Sequence, residues 1–475
     1  MKRLISLLAG FVIVGFFIFP LPSSRMNARA AQSDTPKYIF LFMADGAGIP
    51  QMEITRMYSR VVLNEGLTIP DKIMKEGSLG LVTTHPADLL STDSAAAATA
   101  LAGGCKAKNG SLGICADGSI PSTVTEIAKQ KNMRVGLVTT AQIYDASPAA
   151  FIAHVPTRRS YTAILDRYLA FAPDLLLGGG RDQFLPRTQP GGARDDETDF
   201  ITAFKQKGYL LVSTRQELEH AARGKVLGLF SVSDMSFELD RDPKVQPSLS
   251  EMTNAAIRLL TSGNNNGFFA FIEDENTDSA GHLSDIASVI HDYREFDRAV
   301  AVAYEFYRKH PRETLIVVTS DHETGGLAFT YALKDLSSTR AANQIVGTPD
   351  DLKKISAITI SLRKASEILG PNPTPAAVDK LMADYFKGFT MAPEFRDAIV
   401  KRQPISRTLF LDPAAHALGM MIANNTQAYW LTSGHTNGPV FVAALGPGSE
   451  QFRGYRDNTD IGKNLKALVA GSRLH

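Results

Sequence analysis

Glu273, Asp278 and His282 follow directly on the apolar run Phe268-Phe269-Ala270-Phe271-Ile272. Carboxylate and imidazole are hard and borderline ligands, suited to Mg²⁺ and Zn²⁺. Asp278 and His282, four residues apart, can share one face of a helical turn. A solvated acidic loop is the competing reading, because Asp274 and Glu275 add charge to the same stretch. Asp321-His322 gives a second carboxylate and imidazole, again just past an apolar run, Thr314 to Val318. His435 stands in Thr432-Ser433-Gly434-His435-Thr436, ahead of Val440-Phe441-Val442-Ala443-Ala444, and alone would mean little.

The window Thr92-Asp93-Ser94-Ala95-Ala96-Ala97-Ala98-Thr99 suggests a nucleophile. Asp93 can cap an alanine-rich helix. Ser94 in its first turn would then face unsatisfied N–H groups and the positive helix end, a place suited to an anion. An ordinary cap on a packed helix explains the same residues. G-x-S-x-G is absent, so a base-activated serine triad is not evident. A metal ion at the serine oxygen would do that work by stabilising the alkoxide near neutral pH. Arg158, in His154-Val155-Pro156-Thr157-Arg158-Arg159, carries a fork able to hold two phosphate oxygens, and a surface basic pair is the plainer reading.

These residues need a frame. Continuous apolar runs at Tyr38–Phe42, Arg134–Val138, Asp174–Leu177, Phe268–Ile272 and Thr314–Val318 alternate with amphipathic helical segments, such as the one opened by Ser248-Leu249-Ser250-Glu251. The pattern predicts an α/β fold: a mostly parallel central sheet with helices on both faces. Ligands of such sheets bind beyond the carboxyl ends of the strands. Asp45 after Phe42, Glu273 after Ile272 and Asp321 after Val318 would bring three acids to one edge. Between about 333 and 428 the periodicity loosens and prolines accumulate, which reads as an insertion or small subdomain carried by the sheet.

With 50 Lys and Arg against 49 Asp and Glu, the formal charge of the 475 residues is +1. No global field attracts nucleic acid or an anionic membrane, so an anionic substrate must be captured locally. Met1-Lys2-Arg3, the apolar stretch Leu4–Leu21 and Ala28-Arg29-Ala30 have the order of a secretory signal over residues 1–30. Residues 31–475 would then be one catalytic domain, periplasmic or secreted, with no stable membrane span after cleavage. An uncleaved anchor is the alternative. Cys105 and Cys115, the only cysteines, either close a short loop as a disulfide or remain free thiols.

From Tyr38 to about Leu468 the chain resembles the alkaline phosphatase family. The resemblance rests on Asp45-Gly46, Asp93-Ser94-Ala95-Ala96-Ala97-Ala98-Thr99-Ala100, Asp145-Ala146-Ser147-Pro148, Asp278-Ser279-Ala280-Gly281-His282, Asp321-His322 and Gly434-His435-Thr436 in that order. It implies a homodimeric phosphomonoesterase for small phosphate-monoester substrates, with two Zn²⁺ and one Mg²⁺. Ser94 would become phosphorylated, and Arg158 would clamp the phosphate. One zinc would sit on Asp278, His282 and His435, and the other on Asp45, Asp321 and His322 with the Ser94 oxygen. Asp45, Glu273 and Ser147 would hold the magnesium, with Asp145 reaching it through water. Glu275 rivals Glu273, which is preferred because it follows the strand directly. A sulfatase would need a C/S-x-P-x-R motif, which the residues after Ser94 lack. A diesterase of the same superfamily would be expected to use threonine.

Overall fold

The computed structural model describes residues 35–333, 344–405 and 412–471; the signal segment expected at 1–30 lies outside them. Ten strands form one sheet: β1 Tyr38–Ala44, β2 Ser78–Thr83, β3 Arg134–Gln142, β4 Leu175–Gly179, β5 Tyr209–Val212, β6 Lys225–Leu229, β7 Phe268–Asp274, β8 Thr314–Thr319, β9 Val440–Leu445 and β10 Gly454–Asp457. Their order is β10-β2-β9-β8-β1-β7-β3-β4-β6-β5. Neighbours are parallel except at β9, which runs antiparallel to both β2 and β8. The five runs read from the sequence are β1, β3, β4, β7 and β8. Three more strands, β2, β5 and β10, are short and half exposed, so they lack the continuous apolar signature of a strand covered on both faces.

Period-two alternation divides β1 between two cores. Ile39, Leu41 and Met43 face one apolar cluster, and Phe40, Phe42 and Ala44 face the other. Five helices matter most here: α1 Ser94–Gly103, α2 Leu249–Thr261, α3 Asn276–His282, α4 Ile286–Lys309 and α5 Asn458–Ala470. α1 and α5 cover the first face; α2 and α4 cover the second. The expected capping box is present at α2, where Ser248 accepts from the Glu251 N–H and Glu251 accepts from the Ser248 N–H.

Within the stretch read as an insertion, the described residues form helices at Pro349–Ile355, Leu362–Leu369, Pro375–Tyr385, Pro393–Lys401 and Pro413–Thr426. Four begin with proline, which suits a first helical position whose N–H has no partner in the helix. Their apolar residues join Ala280, Leu283 and Ile286 in a third core cluster, so this stretch rests on the segment that carries Asp278 and His282.

His291 on α4 illustrates the cost of burial. Burial, then Arg294 and Arg298, lower its pKa to about 4. A histidine with a depressed folded pKa adds stability above its unfolded value of about 6.5, and that stability is lost as pH falls toward 4. The full linkage is at most about 3 kcal/mol. Replacing it by His291→Phe should flatten the acid limb of a stability–pH curve between those values, as measured by urea unfolding; an unaltered limb would reject the assignment.

Candidate metal centre and nucleophile

β1, β7 and β8 are adjacent and nearly level. Met43 pairs with Glu273 and with Thr319, and Ala44 pairs with Asp274. The three strands therefore end together, and Asp45, Glu273 and Asp321 arrive at one edge. Behind Asp45 the chain turns at Gly46, whose φ of +69° lies in the left-handed region. A Cβ there would lie 2.8 Å from the Asp278 Cα, so glycine permits both the turn and the close approach of the two carboxylate-bearing segments.

Two groups of ligand atoms converge, Asp278 with His282 and His435, and Asp45 with Asp321 and His322; within each, the atoms lie within 4.8 Å of one another. The first contains the helical pair read from the sequence, with His282 Nε2 3.0 Å from Asp278 Oδ2. His282 Nδ1 is 2.6 Å from the Ser433 carbonyl, and His435 Nδ1 is 2.8 Å from the Thr92 carbonyl. Each Nδ1 must therefore carry the proton it donates, which leaves an Nε2 lone pair directed inward. The two Nε2 atoms face each other at 3.1 Å. Two lone pairs in that position repel, and either a metal ion or a proton on His282 Nε2, beside the Asp278 carboxylate, resolves the conflict.

His322 forms the second group's wall, with Nε2 3.1 Å from Asp321 Oδ2, 3.4 Å from Asp45 Oδ1 and 3.4 Å from Ser94 Oγ. Its ring stacks on His435 with centroids 3.6 Å apart. Thr324 Oγ1, donating to Asp278 and lying 3.3 Å from His322 Nδ1, ties the groups together.

The electrostatics require positive charge. Burial, then the carboxylates of Asp321, Asp278, Glu273 and Glu275, push the Asp45 pKa well up. Glu273 is also raised by burial, although the Thr139 hydroxyl, 2.6 Å away, and Ser147 oppose the shift. Burial would raise Asp278 too, but the imidazoles of His282 and His435 hold its carboxyl well below the usual range. Buried like charges in this number are costly unless a cation compensates them, and the oxygen and imidazole donor set suits zinc and magnesium.

Ser94 is the first residue of α1 and is almost fully buried. Asp93 caps the helix, accepting from the Ala96 N–H at 3.0 Å and, through its other oxygen, from the Gly110 N–H at 2.8 Å. Arg158 lies 3.6 Å from Asp93 and donates to both Asp145 oxygens at 3.1 and 3.2 Å. Two carboxylates thus hold the guanidinium beside Ser94, in a cavity of about 600 Å³ that Asp278, His282 and His435 also line. Ser147 Oγ donates to Asp45 Oδ2 at 3.3 Å. Glu273 lies on this Asp45 side, whereas Glu275 accepts from Ser279 and faces the cavity. Every residue expected to act therefore meets in one place.

Four contributors escaped the sequence reading. Thr139 is directly opposite Glu273 in the sheet, a pairing that only the strand register reveals. Thr324 follows the Asp321-His322 motif but carries no ligand signal of its own, and Asp234 stands in a segment without a distinctive motif. Arg363, from the helix Leu362–Leu369, lines the cavity although more than two hundred residues separate it from Ser94.

A buried serine at a helix N-terminus beside two carboxylate–imidazole clusters has the parts that metal-assisted phosphoryl transfer requires. The family model "Alkaline phosphatase" matches residues 36–470, and the chain belongs to the alkaline phosphatase family. It is 30% identical over 466 residues to alkaline phosphatase 3 of Bacillus subtilis, covering 95% of this chain and 93% of that one. The crystal structure of Thermus thermophilus alkaline phosphatase superposes with a TM-score of 0.81 at 26% identity, covering 95% and 96% of the two chains. The cold-active alkaline phosphatase of a psychrophilic Shewanella gives 0.75 at 28% identity, covering 91% and 99%. The chain is accordingly a phosphoric monoester hydrolase.

Proposed function

We propose that the chain hydrolyses small phosphate monoesters through a phosphoserine formed on Ser94, at a centre for two Zn²⁺ and one Mg²⁺. The observation that carries this reading is the position of Ser94 Oγ, 3.4 Å from His322 Nε2 at the N-terminus of α1. Asp278, His282 and His435 would hold one zinc, and Asp45, Asp321 and His322 the other. Asp45, Glu273 and Ser147 would hold the magnesium. The ions, when bound, supply a lowered hydroxyl pKa and neutralise charge developing on the attacking and leaving oxygens.

The chain's own groups would do the rest. Arg158, oriented by Asp93 and Asp145, grips two phosphoryl oxygens. The free N–H groups at the start of α1 attract the same dianion. Ser94 Oγ attacks phosphorus as the ester oxygen departs, the alcohol leaves with a proton, and water then cleaves the O–P bond of phosphoserine to regenerate serine. Phosphoryl transfer needs mainly such positioning and charge stabilisation.

Arg158→Ala should weaken inhibition by inorganic phosphate about 10- to 100-fold, the usual range for losing charge-assisted hydrogen bonds, while zinc content stays constant. An unchanged inhibition constant would remove Arg158 from phosphate binding.

Export to an oxidising compartment is supported by the disulfide between Cys105 and Cys115 and by the signal-like first 30 residues. Among the described residues, no helix is long and apolar enough to cross a membrane. Homodimerisation, part of the same reading, is checked by light scattering of the mature protein. The central experiment strips metal, restores Zn²⁺ and Mg²⁺, and compares p-nitrophenyl phosphate with its bis-ester. Restored monoesterase activity is expected; preference for the bis-ester would reassign the reaction.

A further inference from the structure

Behind the catalytic edge, a small cavity of about 10 Å³ is lined by Asp274, Asn276, Asp292, Glu238, Glu295 and Arg241, among others. It has room for roughly one water-sized sphere. Asp274 and Glu273 are consecutive on β7, so their side chains take opposite faces. The cavity therefore lies apart from the two ligand clusters, on the other side of the strand that supplies Glu273.

The charges around it do not cancel. Arg241 donates to both Glu238 oxygens at 2.7 Å, and Arg298 donates to Glu295 at 3.1 Å. Asp274 and Asp292 have no basic partner among the described residues, although they are 1% and 4% exposed. Hydroxyls of Thr140 and Thr277 donate to Asp274. The Glu238 N–H and Asn276 Nδ2 donate to Asp292 Oδ1.

Two oxygens remain unused. Asp292 Oδ2 and Asn276 Oδ1 are buried without a hydrogen-bond partner, and both residues line the cavity. Asn276 cannot be turned to hide its oxygen, because its Nδ2 already donates to the Ser236 carbonyl at 3.0 Å and to Asp292. A buried oxygen pair of this kind, beside a second uncompensated carboxylate, calls for a cation.

We propose that this cavity binds one hard divalent cation, Ca²⁺ or Mg²⁺, through Asp292, Asn276 and Asp274. The donors are all oxygen, which selects hard cations over zinc. Two carboxylates match a double positive charge. Asn276 begins α3, the helix that presents Asp278 and His282, and Asp274 adjoins Glu273. The ion would thus brace the ligand-bearing segment from behind.

The test compares the full mature chain with Asp292→Asn, both saturated with Zn²⁺ and then equilibrated with Ca²⁺ or Mg²⁺ before desalting. Asparagine keeps the shape and the acceptor for Glu238 but directs an N–H into the cavity. Wild type should retain one more equivalent of Ca²⁺ or Mg²⁺ than the variant, by elemental analysis. Its Tm should also rise by several degrees with the retained ion while that of the variant stays constant. Asn276→Ala, which removes the second ligand oxygen, should lose the same equivalent. Whichever ion produces the difference identifies the cation. Equal metal content and equal Tm shifts in all three proteins would overturn the proposal and leave a bound water or a shared proton as the occupant. Stability in the absence of added Ca²⁺ and Mg²⁺ guards against a folding defect, because the variant, relieved of a buried charge, should then be at least as stable as wild type.

Discussion

Ser94→Ala is expected to lower kcat for p-nitrophenyl phosphate by about 10⁴-fold or more, the scale seen when an activated nucleophile is removed from an otherwise complete site. The α1 cap is made by Asp93, and among the described residues the buried Ser94 side chain hydrogen-bonds to His322 alone. Fold, zinc content and phosphate affinity should therefore persist. Rapid-quench experiments with labelled substrate should lose the phosphoserine burst along with turnover. If zinc were lost instead, Ser94 would belong to the metal scaffold; full activity would place the nucleophile elsewhere.

Asp45→Asn should be almost as damaging, through a different route. Asp45 lies where the two sets of acids meet: its Oδ1 is 3.4 Å from His322 Nε2 and its Oδ2 accepts from Ser147. An amide of the same shape removes one negative charge and half the donor capacity toward the cations that the neighbouring carboxylates require. We expect a fall in activity of about 10³-fold, corresponding to several kcal/mol of lost charge stabilisation, together with reduced bound metal by elemental analysis. Excess Zn²⁺ and Mg²⁺ should restore part of the activity. A fully metal-loaded variant with wild-type turnover would show that Asp45 is a bystander.

Much of this site could be read because strand ends are informative. Each acid stands one to three residues past an unbroken apolar run, and strands buried on both faces permit few other readings. The Asp278–His282 spacing likewise contains its own geometry, since four residues bring side chains together on any helix. What escaped reading depends on distant partners. Asp93 was legible as a cap, but its second oxygen serves Gly110 and Arg158, which no local pattern discloses. Glu273 is preferred to Glu275 because it directly follows the strand; its hydrogen bond from Thr139 across the ladder depends on a register that no local pattern discloses. β9 is as apolar as its neighbours, so composition says nothing of its reversed direction. The pairing of Cys105 with Cys115 was open until the loop brought their Cα atoms to 5.7 Å.

The two-residue ladder of Glu323–Thr324 with His435–Thr436 closes the long excursion between His322 and His435 at its base. Glu323 strengthens that closure by accepting from Gln51 at 2.6 Å, from Thr436 at 2.5 Å and from the Gly326 N–H at 2.9 Å. The polypeptide therefore leaves and re-enters the catalytic edge through a fastened neck. Chain beyond such a neck can lengthen or shorten at an entropic cost that grows only logarithmically. A change of length beyond the neck would thus leave the crossing from His322 to His435 in register, while Arg363, which lines the cavity beside Ser94, belongs to the part of the chain that such a change would move.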